Sequence, residues 1–176
     1  MSEPDSSSAV TPIALADQGP IRLAVIMERT TIDNRWQPFR WEPIGIAPDT
    51  SASGSSDPSG PIRHDETTEQ WRHPGFAVAL YRDEAEGYYL NVSSPRPCAF
   101  VKWEMVDGQG VPISVTLSYN EAARIMDGGG QVDSVPLPVE ILGWLARFVD
   151  AHYRPEGKKQ RIRPPSFKGA HREDRS

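Results

Sequence analysis

Residues 99–117, AFVKWEMVDGQGVPISVTL, decide the fold. Ala99, Val101, Trp103 and Met105 share one face of an extended chain, and Phe100, Lys102 and Glu104 share the other. Asp107-Gly108-Gln109-Gly110 is a polar, glycine-containing turn, and beyond it Ile113, Val115 and Leu117 alternate with Ser114 and Thr116. Alternation with period two on both sides of a turn is the pattern of two antiparallel strands with one face against a core.

Working upstream, Phe76, Val78 and Leu80 alternate with Ala77, Ala79 and Tyr81, and the polar stretch Asp83–Gly87 leads into Tyr88–Val92. This predicts a second hairpin. Ile21–Glu28 (IRLAVIME) is apolar and short enough for a buried strand. Trp36–Ala47 (WQPFRWEPIGIA) is aromatic but broken by Pro38 and Pro43. Proline cannot donate to a sheet ladder, so this strand is expected at an edge or with a bulge. Downstream the period changes. Ser118-Tyr119-Asn120-Glu121 reads as a capping box opening a short helix that runs through Met126 and stops at Gly128-Gly129-Gly130. Pro138 then opens a last helix, whose Ile141, Leu142, Leu145, Phe148, Val149 and His152 form one stripe with Trp144 beside it. The expected fold is α+β: an antiparallel meander or open barrel of about six strands, followed by two C-terminal helices.

A chain of 176 residues normally makes one domain. The expected organisation is a disordered leader over residues 1–19, one globular domain over 20–154 with a disordered Ser- and Gly-rich loop at 48–70, and a basic flexible tail over 155–176. The net charge of −5 conceals a split. From Arg154 to Ser176 there are eight basic and three acidic side chains, a net of +5, whereas the other 153 residues hold eleven basic and twenty-one acidic, a net of −10. Lys158, Lys159, Arg161 and Arg163 concentrate the tail's charge, which suits RNA, anionic lipid, an acidic protein patch or plain solvation. A single cysteine, Cys98, excludes an internal disulfide, and the N-terminus lacks the basic and apolar regions of a secretory signal. No run approaches the length of a membrane helix. The expected location is the cytoplasm.

The motifs of catalysis are missing. There is no GxSxG elbow, no HxH or HxxxH spacing among His64, His73, His152 and His171, and no GxGxxG or Walker loop. Cys98 reads as a small core residue, and Asp83, Glu84 and Glu86 as solvated turn charges. Neither catalytic residues, a metal nor a cofactor is expected. For partner binding, Arg35, Trp36, Arg40 and Trp41 stand out, because Trp and Arg anchor protein interfaces and an edge strand offers free amides. The plainer reading has Trp41 and Phe39 facing inward and the arginines paired with Asp33 and Glu42. Tyr119, Asn120 and Glu121 form a second candidate surface.

The segments VIMERTTIDNRWQPFRWEPIGI (25–46), HPGFAVALYRDEAEGYYLNVSSPRP (73–97), VTLSYNEAARIMDGG (115–129) and the run through HYRPEGKKQR (152–161) resemble a bacterial domain-of-unknown-function family. The likeness spans about Arg22 to Lys159 without the Ser-rich loop. Members of that family are found near genes for formate dehydrogenase and its accessory factors. The resemblance implies a role in assembly or regulation of a molybdenum- or tungsten-dependent formate dehydrogenase, and no particular reaction. Some relatives carry a name taken from molybdopterin-guanine-dinucleotide synthesis, but the Gly-rich N-terminal loop and doubly wound fold of such a nucleotidyltransferase are not seen here. The leading expectation is a non-catalytic accessory factor that binds a protein partner, which the resemblance implies is a formate dehydrogenase component. The alternatives are a small barrel that binds or transforms an anionic cofactor precursor, and RNA binding through the tail.

Overall fold

The computed structural model describes residues 19–50 and 61–157. Their order is β1 (Ile21–Thr31), β2 (Phe39–Pro48), β3 (Pro61–His64), β4 (Thr68–Val78), a 3-10 turn (Arg82–Glu84), α1 (Ala85–Val92), β5 (Cys98–Val106), β6 (Gln109–Thr116), α2 (Tyr119–Asp127), β7 (Val132–Pro136) and α3 (Val139–His152). The strands form two antiparallel sheets, β2-β1-β4-β3 and β6-β5-β7. One core joins them: Leu23, Val25 and Met27 of β1, Trp41 of β2, Val101 and Trp103 of β5, Val135 of β7, and Ile141, Trp144, Leu145 and Val149 of α3.

The class is α+β, as the periodicity predicts, but the architecture differs from a six-strand meander. The two sheets do not close into a barrel. Residues 61–64 and 68–70, read from sequence as loop, lie in β3 and β4, while the Ser-rich core of that loop lies outside the described residues, as do the leader through residue 18 and the tail from 158. Residues 132–136 supply a strand between the last two helices that the sequence reading lacks. The largest correction concerns Tyr88–Val92, which belongs to α1 rather than a hairpin strand. Over so short a run propensity is a weak guide, and packing decides. Tyr88 meets Phe148 of α3 edge to face at 5.7 Å, and Tyr89 stacks on Tyr153 at 4.4 Å.

Prolines within the strands sit where the ladders slip. Against β1, the register passes from Ile26↔Gly45 to Met27↔Pro43, leaving Ile44 extra. Between Leu23↔Phe76 and Val25↔His73 it skips Pro74 and Gly75, the latter at φ +95°. In β6, Lys102↔Ser114 is followed by Trp103↔Pro112, so Ile113 is extra and turned outward. A bulge absorbs the donor that proline lacks. It also resets the alternation, which is why Ile113 does not share a buried face with Leu117.

Two buried polar groups tie the helices to the sheets. The Asn91 carboxamide donates to the carbonyls of Cys98 (2.7 Å) and Leu117 (2.9 Å) and accepts from the Cys98 amide (3.0 Å). Ser118, wholly buried, accepts from the Glu121 amide at 3.1 Å, which is the cap read from sequence. Its hydroxyl donates to Glu84 Oε2 at 2.6 Å, and Glu84 also pairs with Arg124. Glu84 is therefore a tertiary link and not a solvated turn charge. The Glu121 carboxylate does not reach back to Ser118; it accepts from Thr116 Oγ1 at 2.5 Å, and Thr116 Oγ1 accepts from the Ser118 amide at 3.1 Å.

Gly87 lets α1 approach this cluster, since a Cβ there would lie 2.1 Å from Ser118 Oγ. Gly143 on α3 has nothing within 4 Å of the same position. Ala gains about 1 kcal/mol over Gly in a helix, whereas overpacking costs about 1–3 kcal/mol and a displaced hydrogen bond to a charge about 1.5–3 kcal/mol. Gly87→Ala is expected to destabilise by about 1.5–5 kcal/mol in urea unfolding and Gly143→Ala to stabilise by about 0.5–1 kcal/mol. Equal effects at the two sites would refute the close approach.

Burial holds the His73 imidazole below its ordinary 6.5. For Glu84 burial pushes the carboxyl up, but the Ser118 hydroxyl and Arg124 guanidinium outweigh it, leaving it below its ordinary 4.5. Both groups bind a proton more readily in the unfolded chain, so their stabilisation is complete at high pH and is lost on acidification. Unfolding midpoints are expected to be level between about pH 7 and 8 and to fall as pH drops, with His73→Gln flattening the upper part and Glu84→Gln the lower. A midpoint rising towards pH 5 would contradict both assignments.

Candidate functional site

Among the described residues, two surface features bear on the residues singled out in the sequence. The first is the tip joining β1 to β2. Its backbone is ordered by Asn34, whose Oδ1 accepts from the amides of Trp36 (2.9 Å) and Gln37 (3.3 Å), while the Ile32 amide donates to Pro38 O at 2.9 Å. On this tip Trp36 is 90% exposed, with the Arg35 guanidinium 5.9 Å from its ring centre. Behind it Arg29 lies 4.4 Å over the Phe39 ring, and Arg40 pairs with Glu42 at 2.7 Å.

The four tip residues singled out in the sequence therefore separate. Arg35, Trp36 and Arg40 are on the surface, but Trp41 is 6% exposed and packs on Trp71 and beneath Gly110. Its indole belongs to the core. Strand β2 is an edge of its sheet, as its prolines suggest, and runs beside β7 without pairing to it.

The second feature is a groove of about 380 Å³ on the outer side of the β6-β5-β7 sheet. Cys98 and Phe100 of β5 and Ser134 of β7 line it from the sheet, and Tyr119 closes it from the start of α2. Ser94, Pro95 and Arg96 of the α1–β5 loop form its rim, above Asn91. Phe100 and Tyr119 meet edge to face at 6.0 Å, which fixes the tyrosine ring as a wall. Burial pushes the Cys98 pKa up, so the group stands as a thiol at neutral pH and is a poor nucleophile.

Tyr119, 53% exposed, is the one member of the second candidate surface that faces this groove. Glu121 is spent on Thr116, and Asn120 is half-buried and does not line the groove. The sequence reading missed Ser94, Arg96, Phe100 and Ser134. The one local signal was an arginine between two prolines, Pro95-Arg96-Pro97, and β7 was needed to place Ser134 opposite Phe100.

Ser118 with Glu84 at 2.6 Å has the pairing of a nucleophile and a base, but the hydroxyl is sealed in the interior and caps α2. No substrate reaches it. Among the described residues no group of three or more His, Cys, Asp or Glu is arranged to hold a metal ion, and no helix is long and apolar enough to cross a membrane. Lys158, Lys159, Arg161 and Arg163 lie outside the described residues.

No curated protein and no solved structure matches this chain. A family model described as "Protein of unknown function (DUF3305)" matches residues 22–163, which take in all three helices and every strand but the first residue of β1. The chain belongs to the DUF3305 family.

Proposed function

We propose that this protein is a non-catalytic accessory factor that grips a protein partner with the β1–β2 tip. The observation that carries the reading is Trp36: a large apolar ring 90% exposed on a turn whose backbone is held by Asn34. Water is a poor environment for an indole, and a rigid turn loses little entropy on docking. Arg35 beside the ring and Arg40 on the adjoining strand surround it with the residue types that dominate interface energetics. Arg40 shares its charge with Glu42, which leaves the Arg35 guanidinium as the cation beside the ring, so an apolar pocket edged by a carboxylate is the complementary surface. The sequence resemblance to a family encoded near formate dehydrogenase supports a component of that enzyme as the partner and its maturation as the setting, in the cytoplasm.

Recovery of partner from cells by the tagged full-length chain tests this. Trp36→Ala with Arg40→Ala is expected to cut recovery of a formate dehydrogenase subunit by about tenfold or more, while stability changes by no more than about 0.5 kcal/mol. Trp41→Ala is expected to do the reverse in kind, costing about 3–5 kcal/mol of stability through the cavity it leaves. Undiminished recovery by the double variant would remove the tip from the interface. Recovery of an unrelated protein, lost in the same variant, would keep the tip and discard the dehydrogenase.

A further inference from the structure

We propose that the groove under the α1–β5 loop binds a small organic anion with a flat apolar body, of the class of aromatic carboxylates. Its lining contains one charged side chain, the Arg96 guanidinium, and no carboxylate. Among the described residues Arg22, Arg29, Arg40, Arg72 and Arg124 each reach a carboxylate, whereas Arg35, Arg63, Arg82, Arg96 and Arg147 reach none, and of these Arg96 is the one that lines the groove. Arg96 makes no ion pair or hydrogen bond among the described residues. A guanidinium left free at the rim of a concave site is matched by a planar anion that can take two parallel N–H bonds.

The rest of the groove selects the body of the ligand. Phe100, Tyr119 and Pro95 give apolar walls, and the Phe100–Tyr119 contact holds two of them at 81° to each other, a corner that accepts the face and edge of one ring. About 380 Å³ is near the lower end of small-molecule sites, about 300–1,000 Å³, and suits a ligand of one or two rings. The hydroxyls of Ser94, Tyr119 and Ser134 have no protein partner among the described residues and can reorient towards bound oxygen atoms. Asn91 contributes no such group. Both of its N–H donors are taken by Cys98 and Leu117, so it holds the floor in place.

Cys98 is the single cysteine of the chain and lines the groove, so its alkylation by neutral iodoacetamide reports occupancy in the full-length protein. One-ring fragments bind in about the millimolar range, and at about ten times Kd the alkylation rate should fall about tenfold. Benzoate is expected to give that protection at constant ionic strength. Benzamide, with the same shape and no charge, and acetate, with the charge and no ring, should protect less than about twofold. Arg96→Gln, with each ligand measured against that variant's own unliganded rate, should abolish the advantage of benzoate over benzamide.

Amide chemical shifts provide a second readout, with benzoate expected to move the amides of Ser94, Arg96, Cys98, Phe100, Tyr119 and Ser134. Equal protection by benzoate and benzamide, a preference that survives Arg96→Gln, or shifts confined to the basic residues beyond Arg154 would each overturn the proposal. The tip variant with Trp36→Ala and Arg40→Ala should keep full protection by benzoate. Its failure to capture a partner and a failure of the groove to bind are therefore separate results.

Discussion

The carboxamide of Asn91 is the constraint on which the other contacts rest. It lies in α1, bonds both backbone groups of Cys98 where β5 begins, and bonds the carbonyl of Leu117 just before α2. The end of α1, the start of β5 seven residues on and the segment before α2, 26 residues from Asn91, are thereby joined at one point. A buried backbone group left without a partner costs about 1–3 kcal/mol, and three of them meet at this one side chain. Against a typical domain stability of about 5–15 kcal/mol, such a junction cannot be lost cheaply. It also fixes the floor of the groove, because Asn91 and Cys98 are part of its lining.

The Ser118 cluster extends the same joint. Thr116, Ser118, Glu121, Glu84 and Arg124 form a chain of hydrogen bonds in which the serine is both helix cap and donor to a carboxylate from the turn before α1. A polar network of this kind stabilises only when every buried member is satisfied. Gly87 is the geometric condition for that, since it is the absence of a side chain that lets α1 lie against Ser118. The carboxylates here that resemble catalytic machinery are thus committed to architecture. Recognition is left to groups that this joint does not use, the exposed tip and the rim of the groove.

The tip and the core divide one aromatic run between them. Trp36 and Trp41 stand five residues apart, yet one is almost fully solvated and the other packs on Trp71. The turn ordered by Asn34 sends Trp36 outward before β2 begins at Phe39. From there, pairing with β1 sets which residues face inward, and the bulge at Pro43 corrects the phase so that both Trp41 and Ile46 are buried. The slip at Ile113 acts in the opposite sense, turning an apolar residue out to solvent.

Much of this was legible in the sequence because it depends on local chemistry. Period-two alternation located β5 and β6 and their glycine turn, the Ser118 cap and Pro138 located α2 and α3, and the prolines marked an edge strand with an irregular ladder. Those features follow from backbone donors, side-chain period and capping, all of which act within a few residues. What the tertiary structure alone decided is whatever depends on partners far along the chain: that Tyr88–Val92 coils against α3 instead of pairing as a strand, that Glu84 meets Ser118, and that Arg96, Phe100, Tyr119 and Ser134 surround one groove. Short apolar runs are nearly degenerate between helix and strand, and charge patterns point to a local pair such as Arg40 with Glu42 but not to a distant one such as Glu84 with Arg124. Only the packing of two sheets and three helices around one core breaks those ties.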